Sequence, residues 1–260
     1  MKKQNIILAV LAIGISVCCL SCVTNLNTIK GNGNIVISEK NVSAFEEIKI
    51  QGGVDVNYYA SDEYRVRITV DSNLAEYVEI TSKGKVLNIG LEEGSYSFTT
   101  FVVDIYSPQI SKVTVSGSGN FEAVDKINVQ SFKSEITGSG KIKGNFECTN
   151  FDVRISGSGN ISGTMECTDF SVRISGSGNV TLRGSAKKST INISGSGSFE
   201  GNEFKINNAT FWISGSGKIN TYVVDYLDAN LSGSGNIQYR GNPETNFSVS
   251  GSGKINSVKD

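Results

Sequence analysis

Apolar and polar residues alternate along the second half of the chain in a pattern that repeats about every 19 residues. In one copy Phe151, Val153 and Ile155 alternate with polar residues, and a Gly-Ser-Gly motif follows at 157–159. Alternation of this kind, with β-branched and aromatic residues, is typical of β-strands. Each repeat therefore predicts a strand, a Gly-Ser-Gly corner, a second strand and a turn. Two positions before the first glycine, eight copies carry the aliphatic residues Val115, Ile136, Ile155, Ile174, Ile193, Ile213, Leu231 and Val249. Four positions after it they carry Phe121, Ile142, Ile161, Val180, Phe199, Ile219, Ile237 and Ile255.

The spacing of the motif predicts how the repeats are arranged in space. Gly-Ser-Gly occurs eight times, and successive copies begin 18 to 21 residues apart. A period in this range indicates one structural unit repeated along an axis. Two short strands in each repeat could also form the hairpins of a meander or a barrel. We favour a solenoid, because residues of one type could then stack on their equivalents in the next coil, about 4.8 Å away. The predicted fold is therefore all-β, a parallel β-helix (β-solenoid) with coils of about 19 residues and with the two aliphatic columns, all eight copies of each, as its dry interior.

The residues at the corner predict local structure. Glycine on both sides of the serine fits a sharp bend, which needs either a positive φ or a close approach of backbones. The residue before the motif is Ser or Thr in every copy. The residue after it is Asn at positions 120, 160, 179 and 236. We expect these hydroxyls and amides to form hydrogen bonds along the axis.

The amino-terminal half lacks the Gly-Ser-Gly motif. Residues 31–110 still contain strand-like runs separated by turn signals such as Gly52-Gly53, and one short helical stretch near Asn73. We predict irregular β-coils here, continuous with the regular solenoid of residues 111–260. A separate small β-domain is the alternative.

The first residues have the features of an export signal. Lys2 and Lys3 precede an apolar run from Ile6 to Val17, which is too short to span a membrane. The following Cys18-Cys19-Leu20-Ser21-Cys22 resembles a bacterial lipoprotein signal, in which a cysteine is lipidated and becomes the first residue. We predict a signal peptide over 1–21, lipidation of Cys22, a linker over 22–30 and a lipid anchor in the outer membrane. Modification of Cys18 or Cys19 instead, or an ordinary secretory leader cleaved near Ser21, are the alternatives.

Two further cysteines, Cys148 and Cys167, are 19 residues apart. The solenoid makes them neighbours in adjacent coils, at a distance that permits a disulfide. In-register parallel strands disfavour the dihedral angle that a disulfide requires, and this favours two buried thiols that pack as small apolar groups.

Composition argues against several classes of chemistry. The chain contains no histidine, so a serine nucleophile would lack its usual base and a Cys/His metal site is not expected. Gly-Ser-Gly lacks the lysine and the helix of a phosphate-binding loop. The net charge is −1 and there is no basic block, so we predict no nucleic-acid partner. No acidic cluster recurs along the outward positions. We therefore predict no catalytic, cofactor-binding or metal-binding residues.

Outward positions carry the candidates for binding. The alternation directs Arg154, Arg173, Trp212 and Tyr222 away from the interior, and Trp212 is the only tryptophan. An exposed aromatic residue on a rigid ladder can stack on a sugar or anchor a protein. We predict a glycan or a cell-surface protein as the partner. Packing of these residues in an oligomer is the alternative.

Three amino-terminal segments and the corners together resemble one known family. The segments are Gly-Asn-Gly-Asn at 31–34, Val-Ser-Ala-Phe-Glu-Glu-Ile at 42–48 and Gly-Gly-Val-Asp-Val at 52–56. The chain is similar here to the "putative auto-transporter adhesin, head GIN domain" family, found in lipoproteins of Bacteroidetes-type bacteria. The resemblance implies a right-handed β-helix, a cell-envelope location and assembly into a homotrimer, and it offers no catalytic residues to transfer. We therefore predict a non-catalytic envelope lipoprotein that acts as an adhesin. A structural scaffold of the envelope and a carbohydrate-active β-helix enzyme are the alternatives.

Overall fold

A computed structural model describes residues 28–258. The amino-terminal strands are β1 (Ile29–Lys30), β2 (Ile35–Asn41), β3 (Glu47–Gly52), β4 (Asp55–Ala60), β5 (Arg65–Asp71), β6 (Val78–Lys83), β7 (Val86–Leu91), β8 (Tyr96–Ser97) and β9 (Phe101–Ser107). The repeats form β10 (Lys112–Gly117), β11 (Asn120–Ala123), β12 (Ile127–Gly138), β13 (Lys141–Gly157), β14 (Asn160–Gly176), β15 (Asn179–Gly195), β16 (Ser198–Gly215), β17 (Lys218–Gly233), β18 (Asn236–Arg240), β19 (Glu244–Gly251) and β20 (Lys254–Ser257). A 3-10 helix, Ser72–Tyr77, lies where the sequence predicts a helical stretch.

The repeats form a parallel β-solenoid of about eight turns, as predicted. Each of β13 to β16 runs from one corner to the next and pairs in parallel with the equivalent strand of the neighbouring coil. The register places like residues over like, as in the pairs Ile155↔Ile174 and Phe151↔Phe170. Side chains therefore stack in columns along the solenoid axis.

The two glycines of each corner have different roles. The first glycine has a positive φ, +119° at Gly157, which side chains rarely adopt. The second does not, but a Cβ added to Gly159 would lie 2.5 Å from Cγ2 of Ile136 in the preceding coil. The intervening Ser158 donates its backbone N–H to the carbonyl oxygen of Gly138 at 2.9 Å. Both predicted reasons for glycine are thus confirmed: the first glycine has the positive φ, and at either position a Cβ would lie too close to the preceding coil.

Part of the predicted polar ladder forms, in the column that directly follows the corner; within residues 28–258, no side-chain hydrogen bond along the axis joins the Ser and Thr residues before the corners. The amide of Asn179 donates to Oδ1 of Asn160 at 3.1 Å, and the hydroxyl of Ser198 donates to Oδ1 of Asn179 at 2.8 Å. These bonds join three successive coils along one edge.

The two aliphatic columns are buried except at the last coil. Val115 to Leu231 and Phe121 to Ile237 form a dry interior, beside a column of phenylalanines whose ring centroids lie 5.9 Å apart at the stacked pair Phe151–Phe170. The expectation that all eight copies line this interior is wrong for the eighth. Val249 is 48% exposed and Ile255 is only half-buried. Within residues 28–258, no further strand pairs with the outer edge of β19 or β20.

The amino-terminal strands close the other end. β3 and β4 pair in parallel with β10 and β11, and β7 and β9 lie on their far side. Two strands then reverse direction: β5 is antiparallel to β9, and β6 to β7. β2 is antiparallel to β5 and therefore runs in the same direction as β9. The hydrophobic cluster continues through this region into the repeats. The boundary that we place near residue 110 stays a prediction, as does the handedness of the coils.

The predicted leader, Cys22 and most of the linker lie outside the described residues. Within 28–258, no helix is both long and apolar enough to cross a membrane.

Candidate binding groove

Strand alternation directs one row of side chains outward, three positions before each corner. Because the residues two positions before the corner point inward, those one and three positions before it point outward. Because the strands pair in parallel and in register, the side chains that stand three positions before each corner lie one above another in a single column. Its members in the last seven coils are Glu135, Arg154, Arg173, Asn192, Trp212, Asn230 and Ser248.

A groove of about 810 Å³ follows this column along the outside of the solenoid. Its second row consists of the short residues directly before each corner, from Thr137 to Ser250, of which Ser156, Ser175, Ser194 and Ser214 are exposed. We call the volume between these rows the corner groove. It extends over six coil spacings, about 29 Å at 4.8 Å per coil. Long side chains in one row and hydroxyl groups in the other make it concave.

Arg154 and Arg173 form a ridge along the groove. Nη2 of Arg154 lies 3.1 Å from Oδ2 of Asp152, and Nη1 of Arg173 lies 3.7 Å from Oδ1 of the same carboxylate. Two guanidinium groups therefore share one carboxylate. Their side chains remain 53% and 55% exposed. Most of their N–H donors are consequently available to a ligand.

Trp212 lies further along the same groove. Its side chain follows Asn192 and precedes Asn230 in the column. The residue is 42% exposed, which is unusual for so large an apolar group. Trp212 is two coils beyond Arg173, about 10 Å at the coil spacing.

Tyr222 is not part of the groove. It lies on β17 after the corner at Gly215, where it is half-buried in register with Lys205 and Arg240. The Lys205 ammonium lies 5.6 Å from the centroid of the Tyr222 ring. The structure therefore brings together Arg154, Arg173 and Trp212, and it places Tyr222 on another face.

A second channel, of about 650 Å³, lies on the other side of the arginine ridge. Arg154 and Arg173 line both volumes, and Lys133, Asp152, Asp169 and Lys188 line this side channel alone. Sequence reasoning did not identify the channel. The positions five and seven residues before the corner carry mixed residue types along the repeats, so the pattern does not single out these lysines, and the register shows that they flank the arginines.

The Cys148 and Cys167 thiols are free and half-buried, and they are paired in register. Burial raises the pKa of Cys148 to about 11. Burial, together with the neighbouring Cys148, raises the pKa of Cys167 to about 12. The thiolate is the reactive form of cysteine, so both are poor nucleophiles at neutral pH. Over residues 28–258, no three His, Cys, Asp or Glu side chains are grouped so that they could hold a metal ion.

Comparison with known proteins gives a family and a fold. A family model described as "putative auto-transporter adhesin, head GIN domain" matches residues 44–164 and again residues 143–243. The repeated, overlapping match is consistent with the internal repeat. No curated protein shows significant similarity to the chain.

Solved structures with the same architecture come from related bacteria. A "putative lipid binding protein" from Parabacteroides distasonis is 30% identical, with a TM-score of 0.83 over 89% of this chain and 99% of that one. A "putative adhesin" from Parabacteroides merdae is 28% identical, with a TM-score of 0.85 over the same shares. A "putative adhesin" from Bacteroides fragilis, at 20% identity and a TM-score of 0.69, is similar in fold alone.

Proposed function

Because the chain belongs to the "putative auto-transporter adhesin, head GIN domain" family, we propose that it is a non-catalytic adhesin of the cell envelope that binds glycans in the corner groove. The family and the names of the similar structures support an adhesin-like protein of the cell surface. One observation supports the glycan: the sole tryptophan is 42% exposed inside a concave groove, beside two exposed arginines.

The chemistry of the groove suits a sugar chain. An indole face can stack on the apolar face of a sugar ring. The serine hydroxyls and the amides of Asn192 and Asn230 can exchange hydrogen bonds with sugar hydroxyls. Stacked strands hold these groups in place before a ligand arrives, so little ordering entropy is lost on binding.

A glycan array with the purified protein tests this function. We expect retention on a subset of glycans, and Trp212→Ala to weaken it roughly two- to tenfold, because a stacking contact worth about 0.5–1.5 kcal/mol is removed. The matched control is Val224→Ala, a similarly exposed apolar residue on β17 outside the groove. Equal binding by Trp212→Ala and the unaltered protein would contradict the proposal.

Tyr222 forms a separate arm of this test. If glycan runs over the face after the corner, Tyr222→Ala will weaken retention and Trp212→Ala will not. We expect the reverse, because Tyr222 lies outside the groove and is half-buried beside Lys205.

The proposed anchor is a lipid on Cys22, which places the adhesin in the outer membrane. Support comes from the lipoprotein-like residues 18–22. In a bacterium fed radioactive palmitate, we expect the protein to be labelled, and Cys22→Ser to abolish the label. Retention of the label by Cys22→Ser, with loss in Cys19→Ser, would move the anchor to Cys19.

A scaffold role is the second candidate, and the last coil favours it. Phe247 and Val249 lie on the open edge of β19, where a further copy could cover them. Sedimentation of the purified protein tests the predicted homotrimer: a trimer that Phe247→Ser dissociates would support assembly through this end.

The enzyme alternative finds less support, because Glu135 is the one carboxylate among the described residues lining the groove, and its Oε2 lies 2.8 Å from Nζ of Lys112. Glycosidases use two carboxylates.

A further inference from the structure

The arginine ridge concentrates positive charge on a protein that is weakly negative. The net charge of the chain is −1. Among the residues lining the side channel, four are cationic (Arg154, Arg173, Lys133 and Lys188) and two are anionic (Asp152 and Asp169), which leaves a surplus of two positive charges. Within residues 28–258, neither Lys133 nor Lys188 has a carboxylate within 4.0 Å. An anion on the ridge would therefore meet uncompensated positive charge from the side channel as well as from the arginines.

The positive charge that lines the corner groove is confined to Arg154 and Arg173. Beyond Arg173 the column continues with the neutral residues Asn192, Trp212 and Asn230. At the other end Glu135 is neutralised by Lys112. A ligand lying along the groove would thus meet guanidinium groups at one point and an aromatic face two to three coils away, about 10–14 Å at the coil spacing.

The guanidinium groups of Arg154 and Arg173 have unused N–H donors, which favour an anionic ligand. Arg binds carboxylate, sulfate and phosphate through paired, charge-assisted hydrogen bonds. Asp152 engages one nitrogen of each arginine. We infer, on the basis of the proposed glycan-binding function, that the natural ligand is an acidic polysaccharide. Its anionic groups bind Arg154 and Arg173 while a neighbouring sugar ring stacks on Trp212.

Other polyanions fit the same residues less well. Single-stranded nucleic acid needs a series of aromatic residues for successive bases, and this groove has one. An anionic membrane surface would meet the exposed arginine ridge but offers no sugar ring to stack on Trp212 in the same groove. Hydroxyl and amide groups along the groove match the hydroxyls of sugars instead.

Calorimetric titration of the purified full chain with two matched oligosaccharides tests the inference. The probes are an oligogalacturonate and its fully methyl-esterified form, which differ in charge and not in backbone. We expect the acid to bind more tightly, and Arg154→Gln with Arg173→Gln to weaken it by roughly ten- to a hundredfold, the range for charge-assisted hydrogen bonds. Added salt should weaken binding by the unaltered protein.

Arg183→Gln is the matched control. This arginine is 68% exposed, lies outside both channels, and its Nε is 3.5 Å from Glu203. The same loss of charge at position 183 should leave affinity within about twofold, because nothing at that site faces the groove.

The outcomes separate this inference from the function on which it depends. Equal affinity for the acid and its ester, lost in Trp212→Ala but kept in the double arginine variant, would overturn the acidic ligand and leave glycan binding standing. Binding to phosphatidylglycerol vesicles through the same arginines, with no oligosaccharide bound by any variant, would overturn both. Loss of acid binding in the double variant and in Trp212→Ala, but not in Arg183→Gln, would support both.

Discussion

The two ends of the solenoid have the same inward pattern and different surroundings. At the amino-terminal end Val115 lies over Ile50 of β3, and further strands cover that coil. At the other end Val249 occupies the same position before its corner, lies over Leu231 on one side and is open on the other. The repeat therefore specifies where a side chain points, while the neighbouring coil decides whether it is buried.

Closure of the amino-terminal end depends on a change of strand direction. The antiparallel pairings β2–β5, β5–β9 and β6–β7 interrupt the parallel stacking there. A parallel coil leaves an edge onto which another coil can add, and natural proteins cover or blunt such edges. One end of this chain therefore has a covered edge, and the other end has an open edge.

We expect the largest difference in stability loss between an inner coil and the last coil when a phenylalanine is replaced. Phe211 and Phe247 occupy the same column, two coils apart, but Phe211 is buried and Phe247 is 39% exposed. We expect Phe211→Ala to lower the free energy of unfolding by about 3–5 kcal/mol and Phe247→Ala by about 1 kcal/mol. Urea denaturation followed by circular dichroism measures both. Similar losses would mean that the last coil is covered in solution.

Valine gives a smaller and better matched contrast between the ends. Val115→Ala removes two buried methyl groups and should cost about 2 kcal/mol, whereas Val249→Ala should cost about 0.5 kcal/mol. The same denaturation series measures the pair. If Val249→Ala lowered the free energy of unfolding as much as Val115→Ala does, the last coil could not have an open edge.

The smallest expected effect on stability comes from the Asp71 carboxylate at the amino-terminal end, and it depends on pH. Burial alone would raise the pKa of Asp71. The backbone N–H groups of Gly33, Thr99 and Thr100 donate to its carboxylate at 2.7–3.3 Å, however, and together they outweigh burial. The pKa of Asp71 is therefore lower than its ordinary value. A lowered folded-state pKa stabilises the protein above the unfolded value of about 3.9, and this contribution is lost as the pH falls through the folded value.

We therefore expect Asp71→Asn to be less stable than the unaltered protein at pH 7, and the gap to narrow as the pH falls below about 4. Thermal denaturation at several pH values measures the gap, with the exposed Asp62→Asn as control. A gap that stays constant down to pH 2 would show that the charge of Asp71 does not hold this end.

The parts of the fold that the sequence could predict are those that depend on one coil and its copy. The period, the two kinds of corner glycine and the stacking of Ile155 on Ile174 follow from like residues at one spacing. The direction of β5 does not, because Val66, Ile68 and Val70 alternate as they would in a parallel strand. The exposure of Val249 also could not be predicted, since it depends on whether another coil follows.

The same distinction applies to the candidate site. Arg154, Arg173 and Trp212 all stand three positions before a corner, so a shared column could be predicted from their numbers. Tyr222 also alternates outward, but it follows the corner at Gly215, and the bend turns it to another face. The lysines of the side channel come from positions with mixed residue types, so the register is what places them beside the ridge.

Because Trp212 is the only tryptophan, its fluorescence reports on the corner groove without labelling. We predict that a bound glycan shifts the tryptophan emission to shorter wavelength, since stacking removes the ring from water, with the same dissociation constant that calorimetry measures. Glycan binding that saturates by calorimetry while the emission stays unchanged would contradict the groove as the binding surface.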